Sequence, residues 1–269
     1  MTRFSRKRFA APLLLVLCSL LLSACSSDPK DEFAGQGAEK IYAEAKSDME
    51  SGSYERAIKA LERVEGLGAG TLLAQQAQLD LAYLYWKTSE RAQALSTIER
   101  FIKYNPSSPA LDYALYLRGI INFNDDLGLL GRLANQDLAE RDQRASRDAY
   151  QAFKQLVDQF PNSRYSPDAR VRMDYIVNSL AAYDVHVARY YYKRGAYVAA
   201  ANRAQQTVAE YQQSPAAEEA LYLMVLSYDR LEMKTLRDAA DRVLRQNFPN
   251  SRFLREGLDK RDRSWWQFW

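Results

Sequence analysis

Cysteine and histidine are almost missing from this chain of 269 residues, which has two cysteines and one histidine. Cys18 and Cys25 both lie in the first 25 residues, so the rest of the chain has no thiol for a disulfide, a zinc site or a nucleophile. The lone His186 has no second histidine or cysteine with which to form a metal site or a catalytic dyad. No glycine-rich phosphate loop and no Gly-x-Ser-x-Gly motif occurs. The sequence therefore predicts a protein that is not an enzyme and that uses no metal or cofactor.

Glycine and proline are also scarce, with 11 and 8 copies, whereas tyrosine occurs 18 times. A low content of helix-breaking residues, with 47% hydrophobic residues, is typical of a folded helical protein. The chain has a net charge of +3, but this positive excess comes from residues 1–24, which contain four basic residues and no acidic one. The remainder has 33 basic against 34 acidic residues. This balance gives no reason to expect a nucleic acid partner.

The N-terminus has the three parts of a secretory signal in the expected order. Basic residues come first, and the apolar run over residues 12–22 is too short to span a bilayer. Leu22-Ser23-Ala24-Cys25 then resembles a bacterial lipobox, in which the cysteine carries lipid. We expect a lipoprotein signal peptide over residues 1–24, lipid attachment at Cys25 and a flexible tether over residues 25–37. The two serines after the cysteine indicate an outer-membrane destination.

One pattern recurs along the chain: a helical apolar face that ends at a proline and a serine. It ends at Phe160-Pro-Asn-Ser163, and related endings occur at Asn105-Pro-Ser107 and Phe248-Pro-Asn-Ser251. A second pattern, Gly-x-Tyr-x-x-Ala, occurs at Gly52–Ala57 and at Gly195–Ala200. It resembles the centre of a tetratricopeptide repeat, so internal repeats are the first interpretation of this chain.

These patterns predict an all-α fold, a superhelical solenoid of about five tetratricopeptide-like helix pairs over residues 38–251. Residues 252–269 form a tryptophan-rich C-terminal tail, and an insertion over residues 123–141 interrupts the third pair. The roles of these two segments do not follow from the sequence. We expect Ser166 to cap the long helix of the fourth pair, with Pro167 as its first residue. Small residues should allow the helices of each pair to cross closely, at Ala57, Ala94, Ala149 and Ala200.

Several longer phrases resemble the BamD family, the lipoproteins of the outer-membrane β-barrel assembly machinery. The resemblance covers roughly residues 38–251, and the tryptophan-rich tail is not part of it. The phrases are Leu115-Tyr-Leu-Arg118-Gly119, Arg141-Asp142 before Arg147 and Ala149, Phe160-Pro-Asn-Ser163 with Tyr165, and Ala188-Arg-Tyr190-Tyr191 followed by Arg194-Gly-Ala-Tyr-Val198 and Asn202-Arg203.

The resemblance implies a lipid-anchored scaffold on the periplasmic face of the outer membrane. Its expected partners are the POTRA domains of the barrel subunit BamA, accessory assembly lipoproteins and unfolded outer-membrane protein clients. Arg203 would meet the POTRA partner, together with Tyr197 and Arg194. The N-terminal repeats would form the client groove.

Tyrosine suits the binding of an extended peptide, because it offers a large apolar face and one hydroxyl at low entropic cost. For the client groove we therefore select Tyr83 and Tyr113, with Arg118 as a donor for a terminal carboxylate. Tyr116 is a neighbour of Tyr113 on the same helix, and we expect Tyr116 to be buried against the next repeat.

Some alternatives stay open. Arg203 is expected to face solvent in the free protein, but it could instead brace its own repeat through Asp184 or Glu210. Another periplasmic repeat lipoprotein, such as a secretin pilotin or a cell-wall coordination factor, would share the repeats and the lipobox. An enzyme acting on peptidoglycan would need catalytic residues that this sequence lacks.

Overall fold

The computed structural model describes residues 32–68, 70–123 and 143–258, and all regular secondary structure in these ranges is helical. The all-α prediction is therefore confirmed. The predicted signal peptide, Cys25, nearly all of the insertion and the end of the tail lie outside the described residues. The described helices are α1 (Ala38–Ser51), α2 (Tyr54–Leu67), α3 (Leu72–Lys87), α4 (Arg91–Tyr104), α5 (Leu111–Asn122), α6 (Gln143–Gln159), α7 (Ser166–Lys193), α8 (Tyr197–Glu210), α9 (Ala216–Arg230), α10 (Lys234–Asn247) and α11 (Arg252–Glu256).

The chain divides into two compact units, residues 1–84 and residues 85–269. In the first unit α1 packs against α2. In the second unit α5 packs against α6, α7 against α8 and α9 against α10, and each pair also contacts the helix that follows it. The helix pair is thus the building block that the repeats predicted. None of the helices in the described ranges is long and apolar enough to cross a membrane.

The turn within a helix pair has one backbone conformation wherever it is described. Gly52, Ser89, Gly195 and Glu232 each have a left-handed backbone, with φ between 59° and 81°. The amide of the next residue then donates to a carbonyl five residues back, at 2.7–3.0 Å in all four turns. This is the hydrogen bond of a Schellman motif. The sequence pattern revealed only the two turns with glycine, because Ser89 and Glu232 replace it in the others.

Replacing Glu232 by glycine is expected to stabilise the fold. An L-residue in the left-handed region costs roughly 1–2 kcal/mol, and glycine avoids this cost but loses more backbone entropy on folding. We expect a net gain of about 0.5–1 kcal/mol in the free energy of unfolding, measured by urea denaturation. The converse change, Gly195→Ala, should lose a comparable amount. A loss of stability in Glu232→Gly would contradict this account of the turn.

The turns between helix pairs explain the recurring serine, although in the copy that begins at Asn105 the serine in this role is Ser108 and not Ser107, which the sequence pattern indicated. The hydroxyls of Ser108, Ser163 and Ser214 each accept a hydrogen bond from the amide two residues later, at 3.2–3.3 Å. The amide of each serine donates to the carbonyl three residues earlier. Tyr211-Gln-Gln-Ser214 forms this turn without a proline, so the serine and not the proline is its constant element. The sequence pattern required a proline, so it did not reveal this fourth copy.

The four predicted crossing positions, Ala57, Ala94, Ala149 and Ala200, are all fully buried. One buried cluster joins α5, α6 and α7, and it contains the fully buried Phe153. Gly119 of α5 lies directly against this ring, and an added methyl group would come within 2.8 Å of three ring carbons. The close approach of α5 and α6 therefore depends on a glycine at this position.

One local prediction is wrong. Ser166 does not cap α7 but is its first residue, so Pro167 comes second. The Ser166 hydroxyl donates instead to the carbonyl of Phe160 at 2.6 Å, which ties α7 to the end of α6. Residues 252–256, at the start of the predicted tail, form α11, which packs against α9.

Candidate partner-binding site

Arginine and tyrosine side chains gather where α7 ends and α8 begins. The Arg194 guanidinium lies 5.4 Å from the ring centre of Tyr190, which is 53% exposed. The Arg230 guanidinium, from the end of α9, lies 6.0 Å from the ring centre of Tyr197. Tyr197 also packs against Tyr192, with the ring centres 5.5 Å apart. Each of two tyrosine rings is thus covered by an arginine, at the distance of a cation–π contact.

The local sequence dictates the part of this arrangement that lies on α7 and α8. Gly195 reverses the chain in its left-handed conformation, which brings Tyr197, the first residue of α8, back beside the last turn of α7. Arg194 and Arg230 lie at helix C-termini, where a positive charge is favourable. We call Tyr190, Arg194, Tyr197 and Arg230 the Tyr–Arg cluster. Tyrosine and arginine dominate the energetics of protein interfaces, so the cluster has the chemistry of a docking surface.

The sequence placed Arg194 and Tyr197 in a partner site but missed Arg230. Arg230 belongs to the next helix pair, and no spacing within one repeat links it to Tyr197. Its position in the last turn of α9 was the available signal, but many surface arginines share that position.

Arg203, the third predicted partner residue, is engaged within the fold. Its Nη1 lies 3.4 Å from Oδ1 of Asp184 on α7, and its side chain is 33% exposed. Arg203 therefore faces solvent only in part in the free protein, with a third of its side chain exposed. The alternative, in which Arg203 braces its own helix pair through Asp184, is the arrangement observed.

Asp184 needs that cation because it is only 3% exposed. Burial raises the pKa of the Asp184 carboxyl group, while Arg203 acts to lower it and Glu210 raises it further. Within the described residues, Oδ1 has this ion pair but no hydrogen bond. Burial and the charges of Asp184 and Glu210 also raise the pKa of Tyr211. The α7–α8 pair therefore contains one buried carboxyl group, that of Asp184, which Arg203 balances.

An open cleft of about 680 Å³ lies beside Glu210 and Tyr211. It lies between α6, α7 and the end of α8. Arg147, Glu210 and Tyr211 line it, together with Asp174 and Tyr150. Both signs of charge are present, so the cleft suits a polar partner surface more than an apolar ligand.

The client candidates Tyr113 and Tyr116 share a contact with Tyr165, in the turn before α7. The ring centres lie 5.4 Å apart for Tyr113 and 4.9 Å apart for Tyr116, which is stacked. The Tyr116 hydroxyl donates to Asp168 Oδ2 at 2.7 Å, and burial followed by this bond raises the pKa of Tyr116. Tyr116 does pack on the next helix pair, but it is half-buried rather than buried. Tyr113 is half-buried too and keeps an accessible face.

Arg118 is half-buried, and its Nη2 donates to Gln155 Oε1 of α6 at 2.7 Å. Burial lowers the pKa of its guanidinium. One of its five donors is therefore already used inside the fold. Tyr83, on α3, is half-buried and belongs to residues 1–84, whereas Tyr113 and Arg118 belong to the second compact unit. Cys25 lies outside the described residues.

Comparison with known proteins finds close relatives along nearly the whole chain. A family model described as an outer membrane lipoprotein, YfiO, matches residues 35–244. The outer membrane protein assembly factor BamD of Neisseria meningitidis serogroup B is 45% identical over 96% of this chain and 98% of its own length. The proteins of the same name from Vibrio cholerae and Xylella fastidiosa strain Temecula1 are 36% and 34% identical. The match to the Vibrio cholerae protein covers 85% of this chain and 93% of that protein. The match to the Xylella fastidiosa protein covers 93% of this chain and 87% of that protein.

Proposed function

Because the chain belongs to the YfiO family of outer membrane lipoproteins, in which its relatives are the BamD proteins, we infer that it is an outer membrane protein assembly factor. The helix-pair architecture fits a scaffold, because successive pairs present side chains for partners while their cores supply the stability. The function is non-enzymatic, and the protein works by holding other chains together.

The Tyr–Arg cluster is the observation that supports a specific partner surface. Two exposed guanidinium groups on aromatic rings can donate hydrogen bonds to carboxylates of another protein, and the rings supply apolar contact. We propose that Arg194 and Tyr197 bind the POTRA region of the barrel subunit. Arg203 supports them indirectly, because its ion pair with Asp184 holds α8 against α7.

Charge reversal at Arg194 tests this surface. Arg194 is exposed, but it ends α7 and covers the Tyr190 ring, so Arg194→Glu should lower the free energy of unfolding by only about 1 kcal/mol. It should weaken binding to a soluble POTRA fragment by about tenfold or more in calorimetric titration, because a like charge then faces the acidic partner. Arg170→Glu, an exposed position near the other end of α7, is the matched control and should bind normally. Equal affinity of the two variants would reject this surface.

Membrane attachment belongs to the same proposal. Lipidation at Cys25 would hold the protein on the periplasmic face of the outer membrane, with residues 25–37 as a tether between lipid and fold. Stable attachment needs more than one acyl chain, which a lipoprotein cysteine provides. Accessory lipoproteins of the assembly machinery would then be bound at the same membrane surface.

Client binding is proposed for Tyr113 and Arg118 in the second compact unit and separately for Tyr83 in the first. Barrel clients arrive unfolded, with an alternating aromatic segment. The exposed face of Tyr113 suits an aromatic side chain, and the remaining donors of Arg118 suit a carboxylate.

Tyr113 and Tyr116 offer a matched pair of variants for the client proposal. Tyr113→Ala should weaken binding of a C-terminal barrel peptide by about tenfold in fluorescence anisotropy. Because its ring also packs on Tyr165, we expect it to lose about 0.5–1 kcal/mol of stability, less than Tyr116→Ala. Tyr116→Ala should cost about 1–2 kcal/mol of stability, because it removes the bond to Asp168 and the stack on Tyr165. Unchanged peptide affinity in Tyr113→Ala would remove Tyr113 from the client surface.

A further inference from the structure

A second open groove, of about 630 Å³, lies along α7, the start of α9 and α11. Ala182, His186 and Arg189 line it from α7, Glu218 from α9, and Phe253 from α11. None of these residues takes part in the partner or client surfaces described above. The groove combines apolar wall atoms with two glutamates, two arginines and His186, so it suits a segment that is aromatic and polar at once.

The chain itself runs to this groove after the last helix pair. Helix α11 has only five residues, yet Phe253 is 5% exposed and stacks on Tyr222 with ring centres 5.7 Å apart. The amide of Arg252 donates to Glu218 Oε1 at 3.2 Å. Leu258, the last described residue, packs against the buried cluster of Val185, Ala188, Ala204, Ala220 and Leu223. Leu258 therefore lies near the groove, because Val185 of this cluster also lines it.

The eleven residues that follow are unusually aromatic. Residues 259–269 read Asp-Lys-Arg-Asp-Arg-Ser-Trp-Trp-Gln-Phe-Trp, and they contain three of the four tryptophans of the chain. Each such ring buries roughly 150–250 Å² when it finds a partner surface. A tryptophan also carries one N–H group that needs an acceptor when it leaves water.

We propose that residues 259–269 bind back into this groove in the same molecule. The aromatic rings would lie against the exposed side chains of Ala182 and Pro215. The Arg252 guanidinium, already 4.4 Å from the ring centre of Phe253, would cover a second ring, and Glu218 would accept an indole N–H. The α7 residues that line the groove, from Asn178 to Arg189, span about 17 Å of helix axis. Eleven extended residues reach about 36 Å, so the tail is long enough.

Because Leu258 lies close to the groove, weak contacts are sufficient for the tail to occupy the groove most of the time. A short linker gives an effective concentration in the millimolar range. At about 1 mM, a tail whose separate peptide bound with a Kd of about 0.1 mM would occupy the groove about nine-tenths of the time. Another protein that uses the groove would then bind with an apparent affinity about tenfold weaker, because it must first displace the tail.

Tryptophan fluorescence tests the proposal in the full chain. Trp86→Phe leaves only the three tail tryptophans as emitters. They should emit at blue-shifted wavelengths and resist quenching by acrylamide. Ala182→Arg, added to this variant, fills the groove from an exposed position and should shift the emission to the red and raise quenching several-fold. Ala209→Arg, the same substitution at an exposed position in the other cleft, is the matched control and should change neither.

Other occupants give different results, and each would overturn the proposal. Solvent-like emission in Trp86→Phe alone would mean that the tail stays in water. A blue shift that appears only with vesicles of phosphatidylethanolamine and phosphatidylglycerol would assign the tail to the membrane surface. A blue shift that grows with protein concentration, with dimers in sedimentation, would assign it to a second copy. If Trp86→Phe does not fold, the difference spectrum between the unaltered chain and one with all three tail tryptophans changed to phenylalanine provides the same readout.

Discussion

Gly119→Ala should lower the free energy of unfolding by about 2–3 kcal/mol, although alanine is the better helix former. In a free helix this substitution gains about 1 kcal/mol. Here the new methyl group would come within 2.8 Å of three carbons of the Phe153 ring. That ring is fully buried in the α5–α6–α7 cluster and has no space to withdraw. Either the two helices separate or the ring leaves its rotamer, and both cost packing energy.

A matched control and a double-mutant cycle separate the clash from other effects. Gly66 is a helical glycine of α2 with open space around it, so Gly66→Ala should be neutral or stabilise by a few tenths of a kcal/mol. Phe153→Leu removes ring atoms and is destabilising alone. Combined with Gly119→Ala, it should restore at least about 1 kcal/mol relative to the sum of the single effects. Simple additivity in urea denaturation would mean that Gly119 does not contact the ring as described.

Arg203→Glu should destabilise the free protein by about 2–3 kcal/mol at neutral pH. The substitution leaves the buried Asp184 opposite a second carboxylate, with Glu210 nearby. Loss of one partner of a fully buried ion pair costs roughly 3–5 kcal/mol, and the partial exposure of Arg203 reduces this value. Circular dichroism and urea denaturation measure the loss. Unchanged stability together with lost POTRA binding would instead make Arg203 a direct contact of the partner.

The pH dependence of Arg203→Met, which adds no charge, identifies Asp184 as the cause. Burial already raises the pKa of Asp184, and removal of Arg203 should raise it further. A carboxyl group whose pKa is higher in the folded state favours folding below its unfolded pKa, near 3.9, and loses this contribution as the pH rises through the folded pKa. The stability deficit of Arg203→Met relative to the unaltered chain should therefore be small near pH 4 and grow toward pH 7. Asp184→Asn in the same background should abolish this growth.

Loss of partner binding in an Arg203 variant does not by itself show that Arg203 contacts the partner. A variant that unfolds α7 and α8 would also misplace the Tyr–Arg cluster, because Arg194 ends α7 and Tyr197 begins α8. Loss of a complex in Arg203→Glu would then report on the fold and not on a contact. Arg194→Glu is the cleaner probe, since Arg194 is exposed and its removal leaves no buried charge.

The sequence by itself determined the helix pairs of this protein. Apolar residues spaced three and four apart define one face of a helix, and a proline or a left-handed turn ends it, so both signals lie within a few residues. The burial of Ala57, Ala94, Ala149 and Ala200 follows from the same local register. The family could also be recognised, because long phrases such as Leu115–Gly119 preserve the order of many residues at once.

Only the tertiary structure decided which side chains meet across helices. The sequence spacing of Arg203 is compatible with a position in solvent, beside Asp184 or beside Glu210. The packing of α8 on α7 places it beside Asp184. Arg230 reaches Tyr197 from the next helix pair, and Phe153 meets Gly119 from the helix beyond the insertion. A repeat pattern specifies the face on which a residue lies, but not the residue that an adjoining helix brings to that face. Those contacts depend on the rotation and crossing of whole helices, which are set by the summed packing of many side chains.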